Sequence, residues 1–206
     1  MNEAILETIK TEVIKNNTIS TEYYSQFDVK RGLRNADGSG VLAGLTYISS
    51  VIGSKKSENG LLPIEGILKY RGVSIAEIVK NCTEDKTHHF ERVCFLLLVG
   101  RLPNNAEEKE FANYMSIHRQ IPEEIVENII KKIPSKNIMN KLQTAISALY
   151  AYDNDADSLD PVENFFKSVR LIAKLPTIVA LSYLAAYKPN AEIVEPSKNM
   201  SQAEAF

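Results

Sequence analysis

Hydrophobic and polar residues alternate with a helical period over the first 18 residues. Ile5, Ile9 and Val13 recur every four positions with charged residues between them, which predicts an amphipathic helix whose apolar side packs against another part of the protein. Glycines become frequent between residues 31 and 72, and the helical period is lost there. In that region we predict short strands over residues 46–52 and 67–70, with an exposed loop over residues 54–60.

After residue 72 the helical period returns, and capping residues mark where helices begin. Residues 74–77 and 201–204 have the Ser-x-x-Glu pattern of a capping box. Asn105 is predicted to cap a helix with an acidic first turn, and Pro122 to occupy the first position of another. The apolar run over residues 90–99, followed by a glycine, predicts a buried helix.

The last long apolar stretch predicts a helix that begins at Pro161, with Asp160 as its N-cap. Pro176 lies inside this stretch and lacks the N–H that helical bonding requires, so we expect the helix to be bent or split there. The final capping box predicts the start of a helix, but only two residues follow it. A helix that short is not stable alone, so we expect the sequence to be truncated.

Composition narrows the classes of protein to which the chain can belong. The formal net charge is -2 with a pI of about 6.0, so there is no basic surplus for binding nucleic acid. The two cysteines, Cys82 and Cys94, have no C-x-x-C spacing, and we expect reduced thiols in a cytoplasmic protein. The charge-free run over residues 175–187 is too short for a bilayer, so we expect no membrane span.

Three patterns resemble functional sites, and each lacks a feature that its chemistry requires. The glycine-rich residues 38–43 have the letters of a dinucleotide fingerprint but no preceding hydrophobic strand. The aspartates at 153, 155 and 157 have EF-hand spacing without its glycine and final glutamate, so we expect a solvated acidic loop. The cysteines and histidines between 82 and 94 do not have zinc-ligand spacing, and His118 stands alone. We therefore predict no metal site.

Several segments together resemble the N-terminal half of citrate synthases. They are the G-L-R opening at 32–34, I-E-G at 64–66, Y-R-G-V-S-I at 70–75, the leucine helix and G-R-L-P at 90–103, residues 141–149, and L-I-A-K-L-P at 171–176. The resemblance covers residues 32–206 and implies a mainly α, multi-helical large domain with small β elements near residues 40–72. We divide the chain into an N-terminal helical extension (1–30), a turn-rich segment (31–72) and a truncated helical part (73–206).

The resemblance implies an acyltransferase that condenses acetyl-CoA with oxaloacetate and water, without a cofactor. In that family an aspartate removes the methyl proton of acetyl-CoA while two histidines stabilise the enol and polarise the oxaloacetate carbonyl. All three positions are expected beyond residue 206, so we predict no catalytic residue here and an inactive fragment. Arg34 occupies the place of an arginine that contacts the CoA phosphate in some members; the alternative is an arginine that holds the turn together. We interpret Arg71 as structural.

The resemblance also implies a homodimer whose interface includes the helix matched by residues 141–149. Ile138, Leu142, Ala145 and Leu149 form an apolar stripe there and are our interface candidates. The alternative is that this stripe packs inside its own subunit. Two other functions stay open: a fragment of 2-methylcitrate synthase, which uses propionyl-CoA, and a non-enzymatic helical interaction module.

Overall fold

The computed structural model describes residues 1–29, 40, 44–58, 60–85, 89–193 and 196–206. This part of the chain is mainly α-helical with one small antiparallel sheet, as the sequence predicts. The strands are β1 (Ser49–Ser57), β2 (Gly60–Tyr70) and β3 (Val73–Ser74), and they lie in that order in the sheet. The helices are α1 (Glu3–Asn16), α2 (Glu22–Gln26), α3 (Ile75–Asp85), α4 (His89–Val99), α5 (Asn105–Ile117), α6 (Glu123–Ile125, continued as a π-helix over Val126–Lys131), α7 (Ile138–Leu149, followed by a 3-10 turn over Tyr150–Tyr152), α8 (Pro161–Tyr187) and α9 (Gln202–Ala205).

The first hydrophobic cluster joins α1, α4, α5 and α8. Ile9 and Val13 of α1 are buried in it, as the spacing of the N-terminal stripe predicts. The rings of Phe95 and Phe111 meet edge to face at 5.4 Å, an arrangement that aromatic pairs favour. Because it contributes to this cluster, α1 is a packed part of the core in the structure.

The second hydrophobic cluster joins the π-helix, α7 and α8. Its buried members are Ile125, Ile130, Ala145, Leu149 and Ile178. Ile125 and Ile130 are five residues apart, the spacing that a π-helix brings to one face. This turn therefore directs two isoleucines into the same core, and a regular helix beginning at Pro122 would not do so. Pro122 itself lies at the N-cap and not at the predicted first helical position.

α8 passes through both clusters. Its most apolar stretch has a mean hydropathy of 1.5, so its length and composition also match those of a membrane-spanning helix. Phe165, Val169 and Ala173 belong to the first cluster and Ile178 to the second. This is the position of a core helix, and the expected absence of a membrane span stays a prediction.

Most helix starts are those that the sequence predicts. The Asp160 carboxylate accepts hydrogen bonds from the backbone N–H groups of Val162 and Glu163, both at 2.9 Å. The predicted cap of α5 is wrong by one residue: Asn104 is the N-cap and forms a complete capping box with Glu107. Two asparagines in succession offer the same side chain, and each has a glutamate three residues later, so the sequence pattern fits both. In the structure the reciprocal bonds form between Asn104 and Glu107.

β1 and β2 form a longer hairpin than the sequence predicts. Their pairing runs from Ser49 with Tyr70 to Ser57 with Gly60, with a register shift between Ile52 and Ser54. The predicted loop over residues 54–60 is wrong, because residues 54–57 continue β1. Almost every residue of this hairpin is exposed on both faces, so lysines occupy strand positions there without being buried, and the alternation that usually signals a strand is missing.

Candidate functional site

A buried polar network surrounds Gln202, the first residue of α9, which is only 2% exposed. The Gln202 Oε1 accepts a hydrogen bond from Arg119 Nε at 2.8 Å. Its Nε2 donates to the carbonyls of Ala173 at 2.7 Å and Ile172 at 3.2 Å, and its backbone N–H donates to Glu91 Oε1 at 2.6 Å. These bonds, which we call the Gln202 network, join α9 to α4, α8 and the end of α5.

The Gln202 network compensates for the proline inside α8. Pro176 has no N–H, so the carbonyl four residues earlier, that of Ile172, lacks its usual helical donor. The Gln202 amide supplies a donor to this carbonyl and to the next one. α8 runs without interruption from Pro161 to Tyr187, so of the two predicted outcomes, a bend or a split, the split is wrong.

Arg119 brings a positive charge into the same network. It is 4% exposed and also donates to the carbonyls of Met200 at 2.7 Å and Ser197 at 3.5 Å. Burial lowers the pKa of Arg119, and attraction to the buried Glu91 carboxylate opposes this shift. A buried arginine with a carboxylate nearby and several carbonyl acceptors is the arrangement in which a charge is tolerated inside a protein.

Arg71 joins the C-terminal ends of α1 and α4. Its guanidinium donates to the carbonyl of Leu97 (3.1 and 2.8 Å), to the carbonyl of Asn16 (3.0 Å) and to Asn17 Oδ1 (2.6 Å). Helix C-termini leave carbonyls without intrahelical donors, and a guanidinium has donors for several of them. Arg71 has a φ of +49°, in the left-handed region. These contacts give Arg71 the structural role that the sequence predicts.

Arg101 forms a second junction, between α1 and the start of α5. It donates to Glu12 at 2.8 Å and makes a two-bond contact with the Glu107 carboxylate, each bond 2.7 Å. Its guanidinium also lies 5.5 Å from the centre of the Phe95 ring. Hydrogen bonds from Arg101 hold the pKa of Glu107 below its usual range. The residue therefore fixes the turn that follows α4.

A lysine of α8 binds to the backbone of the acidic loop that follows α7. Lys167 Nζ donates to the carbonyls of Asp155, Ala156 and Ser158 at 2.9 to 3.0 Å. Asp157 accepts a hydrogen bond from the Tyr150 hydroxyl at 2.7 Å. An ammonium group thus occupies the inner side of the loop that has EF-hand spacing.

The sequence candidates for other chemistry are dispersed. Arg34, His88 and residues 38–43 apart from Gly40 lie outside the described residues. Cys94 is buried, and burial raises the pKa of its thiol to about 12. His118 caps the end of α5, where its Nδ1 lies 2.7 Å from the Tyr114 carbonyl, and burial lowers its pKa. No group of three or more potential metal ligands occurs in the described part of the chain.

The α7 stripe lies against its own subunit. Ala145 is fully buried and Leu149 7% exposed in the second cluster, against which Leu142 also packs. Ile138 is half-buried at the start of the helix. Other positions of α7 are exposed, among them Met139, which is 72% exposed. The alternative given by the sequence, packing within the subunit, therefore describes Ala145 and Leu149, and the predicted dimer is not tested by a single chain.

Comparison with known proteins accounts for this arrangement of helices. The family model described as citrate synthase, C-terminal domain, matches residues 36–206. The chain belongs to the citrate synthase family. Among curated relatives of this citrate synthase family chain, citrate synthase 2 of Bacillus subtilis is 32% identical over 169 residues. A 2-methylcitrate synthase of Mycobacterium tuberculosis is 34% identical over 155 residues.

A solved citrate synthase from Pyrobaculum aerophilum has the same fold, with a TM-score of 0.63 and 26% identity. The match covers 92% of this citrate synthase family chain and 45% of that structure. The aligned regions cover 81% and 75% of this chain but only 40% of the B. subtilis relative and 33% of the M. tuberculosis relative. The chain therefore spans less than half the length of these proteins.

Sequence reasoning missed the Gln202 network in this citrate synthase family chain. Its partners are separated by up to 111 residues, so no local pattern connects them. One signal was available: Glu91 lies near the start of a helix that the sequence predicts to be buried, and a charged residue requires a partner if it is buried.

Proposed function

We propose that this chain forms part of an enzyme that condenses acetyl-CoA with oxaloacetate and water to give citrate and CoA. The match of the citrate synthase family model to residues 36–206 carries this proposal. The activity needs a base for the acetyl-CoA methyl proton and donors for the developing enolate and the oxaloacetate carbonyl. Acetyl-CoA and oxaloacetate are the proposed substrates, without a cofactor, in the cytoplasm, and with the parent protein acting as a homodimer.

The described residues support an inactive 206-residue chain. His118, a residue type suited to proton transfer, has its Nδ1 at the Tyr114 carbonyl and packs on the Tyr114 ring at 4.2 Å. The carboxylate of Glu107 is paired with Arg101, and Glu91 accepts from the Gln202 amide. These groups hold helices together, and none of them forms an acid and base pair in an open cleft.

The test is an assay of free thiol release from acetyl-CoA in the presence of oxaloacetate. We expect no turnover from the 206-residue chain. Turnover at an ordinary enzymatic rate, about 1 to 1,000 per second, would contradict the proposal that the 206-residue chain lacks the catalytic residues. The encoding frame is then expressed through its natural stop codon and assayed in the same way. Thiol release by that product supports the proposal, and its absence with both acyl-CoA substrates favours an interaction module.

A 2-methylcitrate synthase is the second candidate, because the M. tuberculosis relative with that name matches at a level of identity similar to the citrate synthase relative. It would use propionyl-CoA. The ratio of kcat/KM for the two acyl-CoA substrates, measured on the full product of the reading frame, separates the two: a preference for propionyl-CoA assigns the second activity.

Arg34 is proposed to bind a CoA phosphate, and this is tested in the same full product. Removing a charge-assisted contact by Arg34→Ala is expected to weaken CoA binding about tenfold, with little effect on oxaloacetate. Dephospho-CoA, which lacks one phosphate group, identifies whether that group is the one contacted. Equal CoA affinity in wild type and variant would assign Arg34 a structural role.

A further inference from the structure

A cavity of about 610 Å³ opens beside the N-terminal half of α8. One wall is α8 itself, and the other is built from residues 120–122, before α6, from Leu149 at the end of α7, and from residues 152–155, which follow α7. Its volume lies within the range of pockets that hold small organic ligands. We call it the α8 cavity. The family comparison and the proposed condensation assign it no role.

Three cations of α8 line the α8 cavity. Lys167, Arg170 and Lys174 follow one another at spacings of three and four residues, which places them on one face of the helix. Two of them already have carbonyl partners: Lys167 donates to the acidic loop, and Lys174 Nζ donates to the His118 carbonyl at 2.9 Å. Lys174 nevertheless has two further donors on its ammonium group.

Arg170 is the cation with the most unused donors. Within the described residues its guanidinium has no hydrogen bond and one ion pair, at 4.0 Å from Asp153 Oδ1. Burial and the neighbouring Arg170 charge both lower the pKa of Lys174. The carboxylates of Asp153 and Asp155 also line the cavity, so the three cations are only partly balanced. An anion placed between Arg170 and Lys174 would relieve their repulsion.

The rest of the cavity wall is largely apolar. Ile121, Pro122, Leu149, Tyr152 and Leu171 line it, and Tyr152 is 50% exposed. An apolar wall next to a group of cations suits a molecule with an uncharged body and an anionic end. A bare inorganic anion would leave most of the volume unused.

We propose that the α8 cavity binds a small phosphorylated molecule with an aromatic or apolar body, whose phosphate is held by Arg170 and Lys174. A guanidinium matches two phosphate oxygens with two parallel N–H donors, and an ammonium supplies a point charge to the third. Tyr152 and Leu171 contact the uncharged body.

The test uses phenyl phosphate as the probe, with binding to the 206-residue chain followed by ³¹P NMR line broadening and by calorimetry. Phenyl phosphate is expected to bind more tightly than inorganic phosphate, which lacks the ring, and than benzoate, which has one carboxylate in place of the phosphate. Affinity should fall as salt is added, since the attraction is between charges. Equal affinities for the three probes, or no binding to the wild-type chain, would overturn the proposal.

Four variants locate the binding. Arg170→Gln should weaken phenyl phosphate binding about tenfold, whereas Lys131→Gln, a surface lysine outside the cavity, should have no effect. Leu171→Glu places a carboxylate inside the cavity at a half-exposed position and should abolish binding. Asp153→Asn removes the carboxylate nearest Arg170 and should tighten binding several-fold. Circular dichroism establishes that each variant is folded.

Two results would contradict the location of the site: binding unchanged by both Arg170→Gln and Leu171→Glu, or binding weakened by Asp153→Asn. The inference is independent of the proposed condensation. Phenyl phosphate binding should be the same in Arg34→Ala as in the wild type, because Arg34 is proposed to bind CoA elsewhere. Loss of binding in Arg34→Ala would instead assign the probe to the CoA site.

Discussion

Gln202→Leu is the substitution for which the structure predicts the most specific outcome. Leucine has a similar size but cannot form hydrogen bonds. The change therefore removes the acceptor of Arg119 Nε and the Gln202 donor to the Ile172 carbonyl. A buried polar group without a partner costs about 1–3 kcal/mol, and more when it is charged, so the two together cost about 2–5 kcal/mol if α9 stays in place. Detachment of α9 would hydrate both groups and limit the loss.

A second substitution, at Pro176, tests whether Gln202 compensates for the N–H that the proline lacks. In Pro176→Ala the helix regains an N–H for the Ile172 carbonyl, and Gln202 is then no longer needed there. The cost of Gln202→Leu should therefore be about 1 kcal/mol smaller in the Pro176→Ala background than in the wild type. Urea denaturation of the four proteins of this double-mutant cycle measures the coupling energy, and hydrogen exchange of the Gln202 amide reports whether α9 detaches.

A matched substitution controls for the loss of a glutamine as such. Gln143 lies on the exposed face of α7, and Gln143→Leu should change the free energy of unfolding by less than about 0.5 kcal/mol. If the Gln202→Leu and Pro176→Ala effects add within about 0.3 kcal/mol, Gln202 does not compensate for the proline and the reasoning is refuted.

Three further predictions concern other buried groups. Arg71→Ala should lower the free energy of unfolding by about 2–4 kcal/mol through loss of its carbonyl contacts, and Arg71→Gly by about 1 kcal/mol less, because glycine adopts the left-handed φ without strain; thermal melts rank the two. Because burial raises the Cys94 pKa to about 12, its thiol should resist alkylation at pH 8 until the chain unfolds, which iodoacetamide labelling measures. The free energy of unfolding should also fall as pH rises from about 9 towards 12, which denaturation at graded pH measures. The Arg101 contact lowers the Glu107 pKa, so this contact stabilises the fold above the pKa of glutamate in the unfolded chain, near 4.3. The stabilisation is lost as pH falls through the lower pKa of the folded state. Denaturation at graded acidic pH should therefore show a smaller fall in the free energy of unfolding for Glu107→Gln than for the wild type.

Local interactions explain which parts of the fold the sequence could predict. Asp160 and Ser201 lie within four residues of the groups they cap, so their signals are contained in short windows. The sequence predicts strands in both arms of the β1–β2 hairpin but not their full length, because residues exposed on both faces have no apolar alternation to detect.

The candidate site depends on distant pairs, and this is why the sequence did not reveal it. Arg71 meets Asn16 across 55 residues, and Arg119 meets Gln202 across 83. Composition marks these residues only as polar, and their partners are decided by how the helices pack. The role proposed for Arg34 comes from the family resemblance alone.

The dependence of α8 on Gln202 means that one hydrogen bond of this helix forms late during protein synthesis. The Ile172 carbonyl leaves the ribosome 30 residues before the amide that pairs with it. At translation rates of roughly 5–20 residues per second, that interval lasts about 2 to 6 seconds. During that interval the Ile172 carbonyl of the nascent α8 has no donor from Gln202, and the helix acquires this hydrogen bond only after α9 has been synthesised.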